Sequence, residues 1–369
     1  MDMKKICHMT TVHGRYDTRI FIKECRSLAL SGYDVTLLVA DGKGGEQTDG
    51  TFIQDVGRPK NRINRVLFFT RKLYKEALRQ QAECYHFHDP ELMLTGYLLT
   101  KKGKKVIYDI HENVGEQIMI KEYIPLILRK IVAGVYDRIE SFFCKRFDAL
   151  LVPQPSMQKR FIELNPKTYL VENFPWSNNA EIVKDVSTSP DKIICFHAGS
   201  LNEDRGLINM VNAFEHLPPH FKLYLGGAIE ESTMSKCENL PGWRNVLFFG
   251  KIPFDEVQDI YKKTSIGLIL YNNVGQYYLS YAVKLFEYMS HGIPVIMPDF
   301  GEWVQFNQEN KCGINVDPTN SKAVAEAIKY LTENPKESEM LGMNGVRAIH
   351  EKYSWDYAKG RLLKCYEYI

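Results

Sequence analysis

The sequence predicts an α/β protein with two doubly wound domains, each a parallel sheet with helices on both faces. Strand-length apolar runs alternate with amphipathic helical segments along the chain, which is the pattern of parallel sheets covered by helices. The length of 369 residues suits two α/β domains of ordinary size. A polar segment at 171–192, rich in Asn, Ser and Pro, indicates a linker between them.

The first series of elements precedes this linker. A helix is predicted over 19–31, because its amphipathic pattern stops before Gly32 and glycine favours helix C-termini. Strands are predicted at Lys5–Met9, Val35–Ala40, Cys84–Phe87, Lys105–Tyr108 and Ala149–Val152.

The second series follows the linker with the same alternation. Its strands are predicted at Ile193–His197, Lys222–Leu225, Val246–Phe249, Ile266–Leu270 and Pro294–Met297. Its helices are predicted at Leu207–Phe214, Phe254–Lys262, Ala282–Ser290 and Ser321–Leu331. Because parallel sheets bind ligands at the loops that follow their strands, we expect a site among loops 10–18, 86–91, 109–116, 198–205, 226–228, 250–253 and 271–285.

Composition favours a cytoplasmic protein. No apolar stretch approaches the roughly 20 residues that span a bilayer, and the N-terminus is too short and too polar for a secretory signal. The eight cysteines are scattered without a CxxC pair, which argues against a disulfide framework or a zinc site.

Charge is unevenly distributed along the chain. Residues 1–170 hold 28 Lys and Arg against 20 Asp and Glu, a net of +8, which leaves 19 against 25 and a net of −6 for the rest. The densest run, Arg58–Arg79, has eight cations and a single acid, interleaved with apolar residues. Such a basic amphipathic stretch indicates an anionic membrane surface, where each cation contributes about 1 kcal/mol. A second segment, 118–147, is similar, but we interpret it as an ordinary solvated helix face.

One predicted ligand loop joins the strand at 193–197 to the helix at 207–214. Gly199 would let the backbone approach a ligand closely, the helix N-terminus offers N–H groups to an anion, and Arg205 adds a cation. A turn with a solvated arginine explains these residues equally well.

The helix predicted at 282–290 carries a more specific pattern. Lys284 and Glu287 are three residues apart and therefore share one helix face. Lys284 would meet phosphate oxygens and Glu287 would accept hydrogen bonds from a ribose diol, as a nucleoside diphosphate requires. The alternative is a surface ion pair worth a few tenths of a kcal/mol.

Together these segments resemble glycosyltransferase family 4, whose members have the GT-B fold, two Rossmann-like domains facing across a cleft, and retain anomeric configuration. The resemblance covers nearly the whole chain and is carried best by Gly199–Gly206, Val246–Gly250, Lys284–Met289 and Gly292–Val295. It implies an acceptor domain at 1–175, a nucleotide-sugar domain at 190–352 and a helix at 353–369 that returns to the first domain.

The resemblance implies that Arg205 and Lys284 are catalytic, because they would stabilise the charge of the departing diphosphate. The donor-binding residues it implies are Gly199, Ser200, Arg205, Gly227, Ile252, Lys284, Leu285, Glu287 and, from the first half, Gly14. Two positions depart from the family. Leu279 stands where the first glutamate of a paired motif belongs, and Ser200 stands where an arginine is frequent. We infer that Lys284 supplies the missing cation.

The N-terminal half contributes Val12–Ile20, which looks like the family's first-strand loop, and His86–Glu91, which is similar to its His-x-His segment. The resemblance places His88 beside the donor sugar as a third catalytic residue. It assigns the acceptor to His13, Arg15, Asp89, His111 and Glu112. These histidines and carboxylates also suit a metal ion. They follow different strands, however, and the family needs no metal, so we expect neither a metal nor another cofactor.

The resulting prediction is a metal-independent, retaining glycosyltransferase of the hexosyltransferase type. It would use a nucleotide sugar, preferably a UDP-sugar, and a lipid-linked or oligosaccharide acceptor in bacterial surface polysaccharide synthesis, at the inner face of the cell membrane. Nucleic acid is not expected as a partner, because no recognition module accompanies the charge. A nucleotide-sugar epimerase of the same fold and a non-catalytic nucleotide-sugar binding protein stay open. An NAD-dependent Rossmann enzyme is disfavoured because no G-x-G-x-x-G follows the first strand.

Overall fold

A computed structural model describes residues 4–120, 124–176, 192–278 and 281–369. The chain divides into two compact units: Met1–Asn173 with Trp355–Ile369, and Phe174–Ser354. Each unit has its own sheet and its own buried apolar core. Most of the predicted linker lies outside the described residues.

The first unit contains strands β1 (Lys5–Met9), β2 (Asp34–Val39), β3 (Glu46–Thr48), β4 (Thr51–Asp55), β5 (Cys84–Phe87), β6 (Lys105–Asp109), β7 (Ala149–Val152) and β8 (Thr168–Leu170). In the described residues they form one sheet in the order β3-β4-β2-β1-β5-β6-β7-β8. Neighbours are parallel except for β3 and β4, which are antiparallel. The five predicted strands are confirmed. The sequence does not predict β3, β4 and β8, and two of these have only three residues, too few to leave a clear pattern.

Helices of the first unit lie between these strands. They are α1 (Arg26–Leu30), α2 (Arg62–Asn64), α3 (Thr70–Gln80), α4 (Met93–Thr100), α5 (Val114–Ile120), α6 (Leu126–Cys144) and α7 (Pro155–Ile162), with a 3₁₀ turn at Pro90–Leu92 and π-helical turns at Thr18–Cys25 and Arg65–Phe69.

The π-helical segment Thr18–Cys25 corrects the predicted helix at 19–31, of which only the second half is α-helical. Asp17 caps the segment by accepting hydrogen bonds from two backbone N–H groups at 2.9 and 3.0 Å. Because π-helical bonding links residues five apart, Arg19 and Glu24 lie on one side and form an ion pair of 3.2 Å. A pattern of 3.6 residues per turn does not reveal this pairing.

The second unit has a fully parallel sheet. Its strands are β9 (Ile193–Ala198), β10 (Phe221–Gly226), β11 (Val246–Gly250), β12 (Ile266–Leu268), β13 (Val295–Pro298) and β14 (Gly313–Val316). The described strands follow the order β11-β10-β9-β12-β13-β14. The five strands predicted here are confirmed, and β14 is additional.

Its helices are α8 (Leu207–Glu215), α9 (Glu231–Glu238), α10 (Phe254–Tyr261), α11 (Val283–Ser290), α12 (Glu302–Asn310), α13 (Ser321–Glu333) and α14 (Pro335–Glu351), with 3₁₀ turns at Pro241–Asn245 and Gly275–Tyr278. The four helices predicted for this half are confirmed.

The last helix, α15 (Trp355–Glu367), packs in the first unit. The Trp355 indole N–H donates to Ser27 Oγ at 2.9 Å, and the Tyr366 hydroxyl lies 2.7 Å from His86 Nδ1. Among the described residues, none of the helices combines the length and the apolar character needed to cross a bilayer.

Candidate functional site

The strand order locates the expected ligand-binding edge within each sheet. In the first unit the chain continues from β1 to β2 on one side and later returns to β5 on the other. In the second unit the same reversal occurs between β9 and β12. The loops after such strands diverge and leave a crevice at the carboxyl ends. The predicted site residues follow these strands in both units.

Glycines form the base of the crevice in the second unit. The Gly199 N–H donates to Gly226 O at 2.8 Å, and the Gly227 N–H donates to Gly250 O at 2.7 Å, so the ends of β9, β10 and β11 are tied together. A Cβ atom on Gly227 would lie 1.7 Å from Gly199 O. Only glycine therefore fits there, and the backbone stays open to a ligand.

Two cations converge beside Gly199. A Cβ built on Gly199 would lie 3.5 Å from Lys284 Nζ and 3.9 Å from Arg205 NH1. Arg205 is held by its Nε, which donates to the Tyr277 hydroxyl at 3.1 Å. The structure thus brings together the loop arginine and the helix lysine, which lie 79 positions apart in the sequence.

Lys284 is only 7% exposed. Its ammonium lies 2.5 Å from His197 Nε2, and His197 Nδ1 lies 2.8 Å from Leu268 O. The carbonyl requires the proton on Nδ1, so Nε2 accepts from Lys284. Burial, with the charge of Arg205, holds the pKa of Lys284 well below its ordinary value. A diphosphate placed here would reverse that effect, because it favours the charged ammonium.

Glu287 follows one turn after Lys284 and is oriented by Tyr261, whose hydroxyl donates to Glu287 Oε2 at 2.7 Å. The carboxylate lines a cavity of about 550 Å³ together with Gly199, Ser200, Gly227 and Ile252. Five of the predicted donor-binding residues therefore line one cavity, and its volume suits a small-molecule ligand.

Two further observations adjust the predicted donor set. Leu285 is fully buried and its N–H donates to Ala282 O at 2.9 Å, so it anchors α11 and its side chain does not reach the cavity. Lys251 lines the cavity and is missed by sequence reasoning, although it lies in the expected loop 250–253. Leu279 lies outside the described residues.

In the first unit, Asp89 secures the loop after β1. Its carboxylate accepts from the Thr10 hydroxyl at 3.1 Å and from the Thr11 N–H and hydroxyl at 2.5 and 3.1 Å. It is 1% exposed, which corrects its assignment to the acceptor: its hydrogen-bonding capacity serves the loop. His13 Nε2 lies 3.7 Å from Asp89 Oδ1.

Arg15 requires a similar correction. Its guanidinium is buried and makes two parallel bonds to Asp41, both of 2.8 Å, with further bonds to Glu46 Oε1 and Gly44 O. In this fork geometry the guanidinium is bonded to other residues of the loop region. Arg15 therefore holds the loop in place rather than facing an acceptor. Gly14 is exposed, and no atom lies within 4 Å of a Cβ built on it.

His88 lies in a buried cluster. Its Nε2 is 3.1 Å from His8 Nδ1, and its Nδ1 is 3.1 Å from Asp109 Oδ2. Burial lowers the pKa of His88 to about 4. Both nitrogens lie close to other buried side chains and the residue has almost no exposed surface, so His88 is less open than its predicted place beside the donor sugar implies. Its catalytic role stays a prediction.

His111 is the more accessible neighbour. Its side chain is 17% exposed, and its Nε2 lies 2.9 Å from Asp109 Oδ2. Its ring centroid is 4.9 Å from that of His13. Although burial lowers it, the hydrogen bond to Asp17 and the charge of Asp89 raise the pKa of His13 overall. Glu112 is exposed and accepts a hydrogen bond from Gln117. Of the predicted residues in this unit, His13 and His111 therefore share one partly open edge.

Comparison with protein families gives a match in each unit. Residues 18–174 match Glycosyltransferase Family 4, and residues 178–347 match Glycosyl transferases group 1.

Curated relatives are distant. An uncharacterized glycosyltransferase of Methanocaldococcus jannaschii is 20% identical over 67% of this chain, and the match spans 62% of that relative's length, less than two thirds. The D-rhamnosyltransferase WbpZ of Pseudomonas aeruginosa is 22% identical over 75% of this chain and 71% of its own.

Solved structures share the whole fold. Sucrose-phosphate synthase from Thermosynechococcus elongatus superposes with a TM-score of 0.77 at 16% identity, over 99% of this chain and 98% of the other. Anabaena HepE in complex with UDP-glucose superposes with a TM-score of 0.74 at 13% identity, over 99% of this chain and 100% of the other. The chain therefore belongs to the glycosyltransferases of the GT-B fold, with a Family 4 domain in its first unit and a group 1 domain in its second.

Proposed function

We propose that this protein transfers a hexose from a nucleotide donor, preferably a UDP-sugar, to an acceptor hydroxyl with retention of anomeric configuration. The acceptor is a lipid-linked saccharide in bacterial surface polysaccharide synthesis. The names of two similar proteins agree with this chemistry: one is a D-rhamnosyltransferase and one binds UDP-glucose.

The cavity of the second unit is the observation that carries the proposal. It combines an open glycine backbone at Gly199 and Gly227 with the carboxylate of Glu287, and Arg205 and Lys284 lie beside Gly199. A nucleoside diphosphate has the matching groups, since its phosphates suit the cations and its ribose diol suits a carboxylate.

The two cations account for the leaving group. In the reaction the bond between the sugar C1 and the diphosphate oxygen breaks, and a bond from C1 to the acceptor oxygen forms. The departing phosphate accepts the proton of the acceptor hydroxyl. Arg205 and Lys284 stabilise the growing negative charge, so that transfer requires no metal ion.

The partly open edge of the first unit supplies the sugar and acceptor contacts. His111 is oriented by Asp109, which is itself held by two bonds from Arg19 at 2.7 and 2.8 Å. His111 thus takes the sugar-facing role that the sequence resemblance gives to His88, and His13 beside it contacts the acceptor.

Nucleotide binding tests the proposal first. A thermal-shift panel with UDP, GDP, CDP and NAD should give a shift with UDP, because a ligand at 100 times its Kd adds about 2.7 kcal/mol to the free energy of unfolding. Glu287→Ala should remove most of the shift. Glu326→Ala, an exposed glutamate on α13, is the matched control and should retain it.

The outcomes separate the competing functions. Transfer of sugar to an acceptor, followed by NMR of the anomeric proton, supports the proposal, whereas an inverted product contradicts it. Interconversion of nucleotide sugars without an acceptor would indicate an epimerase. Binding without any turnover would indicate a nucleotide-sugar binding protein.

An exposed apolar surface supports the lipid acceptor. On α6, Leu126 is 75% and Ile127 is 84% exposed, and the outward side chains continue through Leu128, Ile131, Val132, Val135, Ile139 and Phe142. This corrects the interpretation of 118–147 as an ordinary solvated face, because large apolar side chains rather than charges dominate it. A continuous exposed apolar patch of this kind marks an interaction site.

Neighbouring helices extend the surface. Helix α4 packs against both α3 and α6, and its Leu94 and Leu98 are exposed, as are Ile63, Val66, Leu67 and Phe68 before α3. The exposed cations among them are Arg58, Lys60, Arg62, Arg71, Lys72, Lys75, Arg79, Lys130, Arg138, Lys145 and Arg146. A surface that combines exposed apolar side chains with exposed cations suits a bilayer with anionic lipid.

Vesicle binding tests this surface. Leu126→Ser with Ile127→Ser should weaken binding to vesicles containing anionic lipid by about tenfold or more per side chain, since burying a large apolar side chain contributes about 1.5–3 kcal/mol. Leu30→Ser, another exposed leucine of this unit on α1, should bind normally. Equal binding by all three proteins would contradict the membrane role.

Cysteine chemistry supports the cytoplasmic side of the membrane. All eight cysteines are free and buried, and unpaired cysteines are typical of reducing compartments.

A further inference from the structure

The core of the first unit contains a group of metal-ligating side chains that the proposed transfer does not use. His8 lies in the buried part of β1, Glu24 lies on the π-helical segment, His86 lies in β5 and His88 follows that strand directly. Each offers one ligand atom, and these atoms lie within 4.8 Å of one another. All four residues are at most 1% exposed.

Hydrogen bonds explain only part of this arrangement. His8 Nδ1 and His88 Nε2 are 3.1 Å apart, and the Tyr366 hydroxyl lies 3.1 Å from His8 Nε2 and 2.7 Å from His86 Nδ1. One ring nitrogen, His86 Nε2, is left without a hydrogen-bond partner among the described residues, as is Glu24 Oε2, whereas Glu24 Oε1 forms the 3.2 Å ion pair with Arg19.

These unsatisfied atoms face one another. His86 Nε2 and Glu24 Oε2 are 3.9 Å apart, which is too far for a hydrogen bond but fits two ligands of one ion at about 2.0–2.2 Å each. Buried polar atoms without partners are costly and need an explanation. A cation between them would satisfy the nitrogen and the carboxylate together.

The surroundings have the features of a metal site's outer shell. A metal-bound histidine usually has its second ring nitrogen bonded to a fixed partner. Here Tyr366 contacts the second nitrogen of both His8 and His86, and Asp109 contacts that of His88. The three rings are thereby held in fixed orientations.

We propose that His8, Glu24, His86 and His88 form a buried structural site for a divalent transition-metal ion, with zinc the best match. Three imidazole nitrogens and one carboxylate oxygen are a ligand set that zinc accepts in tetrahedral geometry. The site is closed, so the ion fastens β1, β5 and the π-helical segment together and takes no part in sugar transfer. The metal site weighed in the sequence did not include His8 or Glu24, and it is the register of β1 and β5 that places His8 opposite His86.

Metal content of the purified full chain tests this site directly, with a readout independent of transfer. Protein expressed in zinc-supplemented medium and dialysed against metal-free buffer should carry about one zinc ion per chain by mass spectrometry. Glu24→Gln and His86→Gln should carry almost none. His216→Gln, a histidine of the second unit, is the control and should carry the wild-type amount.

A second measurement covers variants that fail to fold. Removing metal from the wild-type protein with a chelator should lower its Tm, and adding zinc alone should restore it, because the ion binds only the folded state. Tyr366→Phe, which removes the outer-shell partner of two ligands, should weaken zinc affinity by about 10–100-fold.

Several results would overturn the proposal. Wild-type protein without zinc, and with a Tm insensitive to chelator and to added zinc, would leave a purely hydrogen-bonded cluster. Equal zinc in wild type, Glu24→Gln and His86→Gln would show that the ion is bound outside this group. Loss of zinc in His111→Gln but not in Glu24→Gln would place the ion instead at the neighbouring group of His88, Asp109 and His111.

Discussion

The two units carry loops at equivalent places, after the strands where each sheet reverses direction, yet they use their polar residues differently. In the second unit, Arg205 and Lys284 lie beside Gly199, and Glu287 lines the cavity to which Gly199 also contributes. In the first unit, Arg15, Asp89 and His88 form their hydrogen bonds with other residues of the protein. A charged residue at a strand end is therefore a ligand-binding residue only where the fold leaves its polar atoms facing a ligand.

Removing either cation of the second unit should have the largest effect. Arg205→Ala and Lys284→Ala should each lower turnover by about 10²–10³-fold, the usual loss for a preorganised group that stabilises a developing charge. Steady-state transfer assays with the folded variants measure this. Lys263→Ala, an exposed lysine in the same unit, should be unaffected, and near-normal turnover in either test variant would remove that residue from the mechanism.

The histidines of the first unit should divide between activity and stability. His111→Gln should lower turnover by at least about tenfold, with a smaller loss of Tm than His88→Gln, because a catalytic contact of this kind contributes more than that and His111 is the more exposed of the two. His88→Gln should lower the free energy of unfolding by about 1–3 kcal/mol for each buried partner left unsatisfied. The reverse pattern, with His88→Gln stable and inactive, would restore His88 to the sugar-facing role.

Substitutions of Glu287 and Tyr261 should both weaken UDP binding, but by different amounts. Glu287→Ala should weaken UDP binding by about 10–100-fold, as expected for losing hydrogen bonds to a charged group worth about 1.5–3 kcal/mol. Tyr261→Phe removes only the hydroxyl that orients the carboxylate and should cost about threefold to tenfold. Isothermal titration gives both values. A larger loss for Tyr261→Phe than for Glu287→Ala would argue against a direct ribose contact.

Proton uptake should be the smallest signal. Burial and Arg205 lower the pKa of Lys284, while Glu287 opposes them, and a bound diphosphate would raise it again. Between the free and bound pKa values, binding must therefore take up a proton, and UDP affinity must fall as pH rises. Titration calorimetry in two buffers of different ionisation enthalpy measures the uptake. Lys284→Met should abolish it, and uptake that persists in this variant belongs to another group.

Strand periodicity was a reliable guide to most of the fold. Buried strands such as β7 and β13 are continuous apolar runs, and their signal is local, so sequence alone locates them. The edge strand β3 leaves no such signal because it has only three residues. The π-helical segment Thr18–Cys25 leaves none because its bonds link residues five apart, outside the 3.6-residue pattern.

The grouping of most predicted donor-binding residues could also be predicted, since glycines after strands and the Lys284–Glu287 spacing are local patterns. Lys251 and the Tyr261 contact could not, because each depends on how the loops after separate strands meet.

By itself, the sequence determined that this protein has two α/β units with mainly parallel sheets, and it predicted that two cations and a carboxylate gather near strand ends, because periodicity, glycine placement and helix spacing are all local. Only the tertiary structure decided which polar residues remain available. Arg15 is hydrogen-bonded to Asp41, and His88 lies within hydrogen-bond distance of His8 and Asp109. Four side chains that could bind a metal come from distant segments and meet in the core. These polar side chains find their hydrogen-bond partners in segments far apart in the chain. A local sequence pattern therefore cannot show which of them are already bonded.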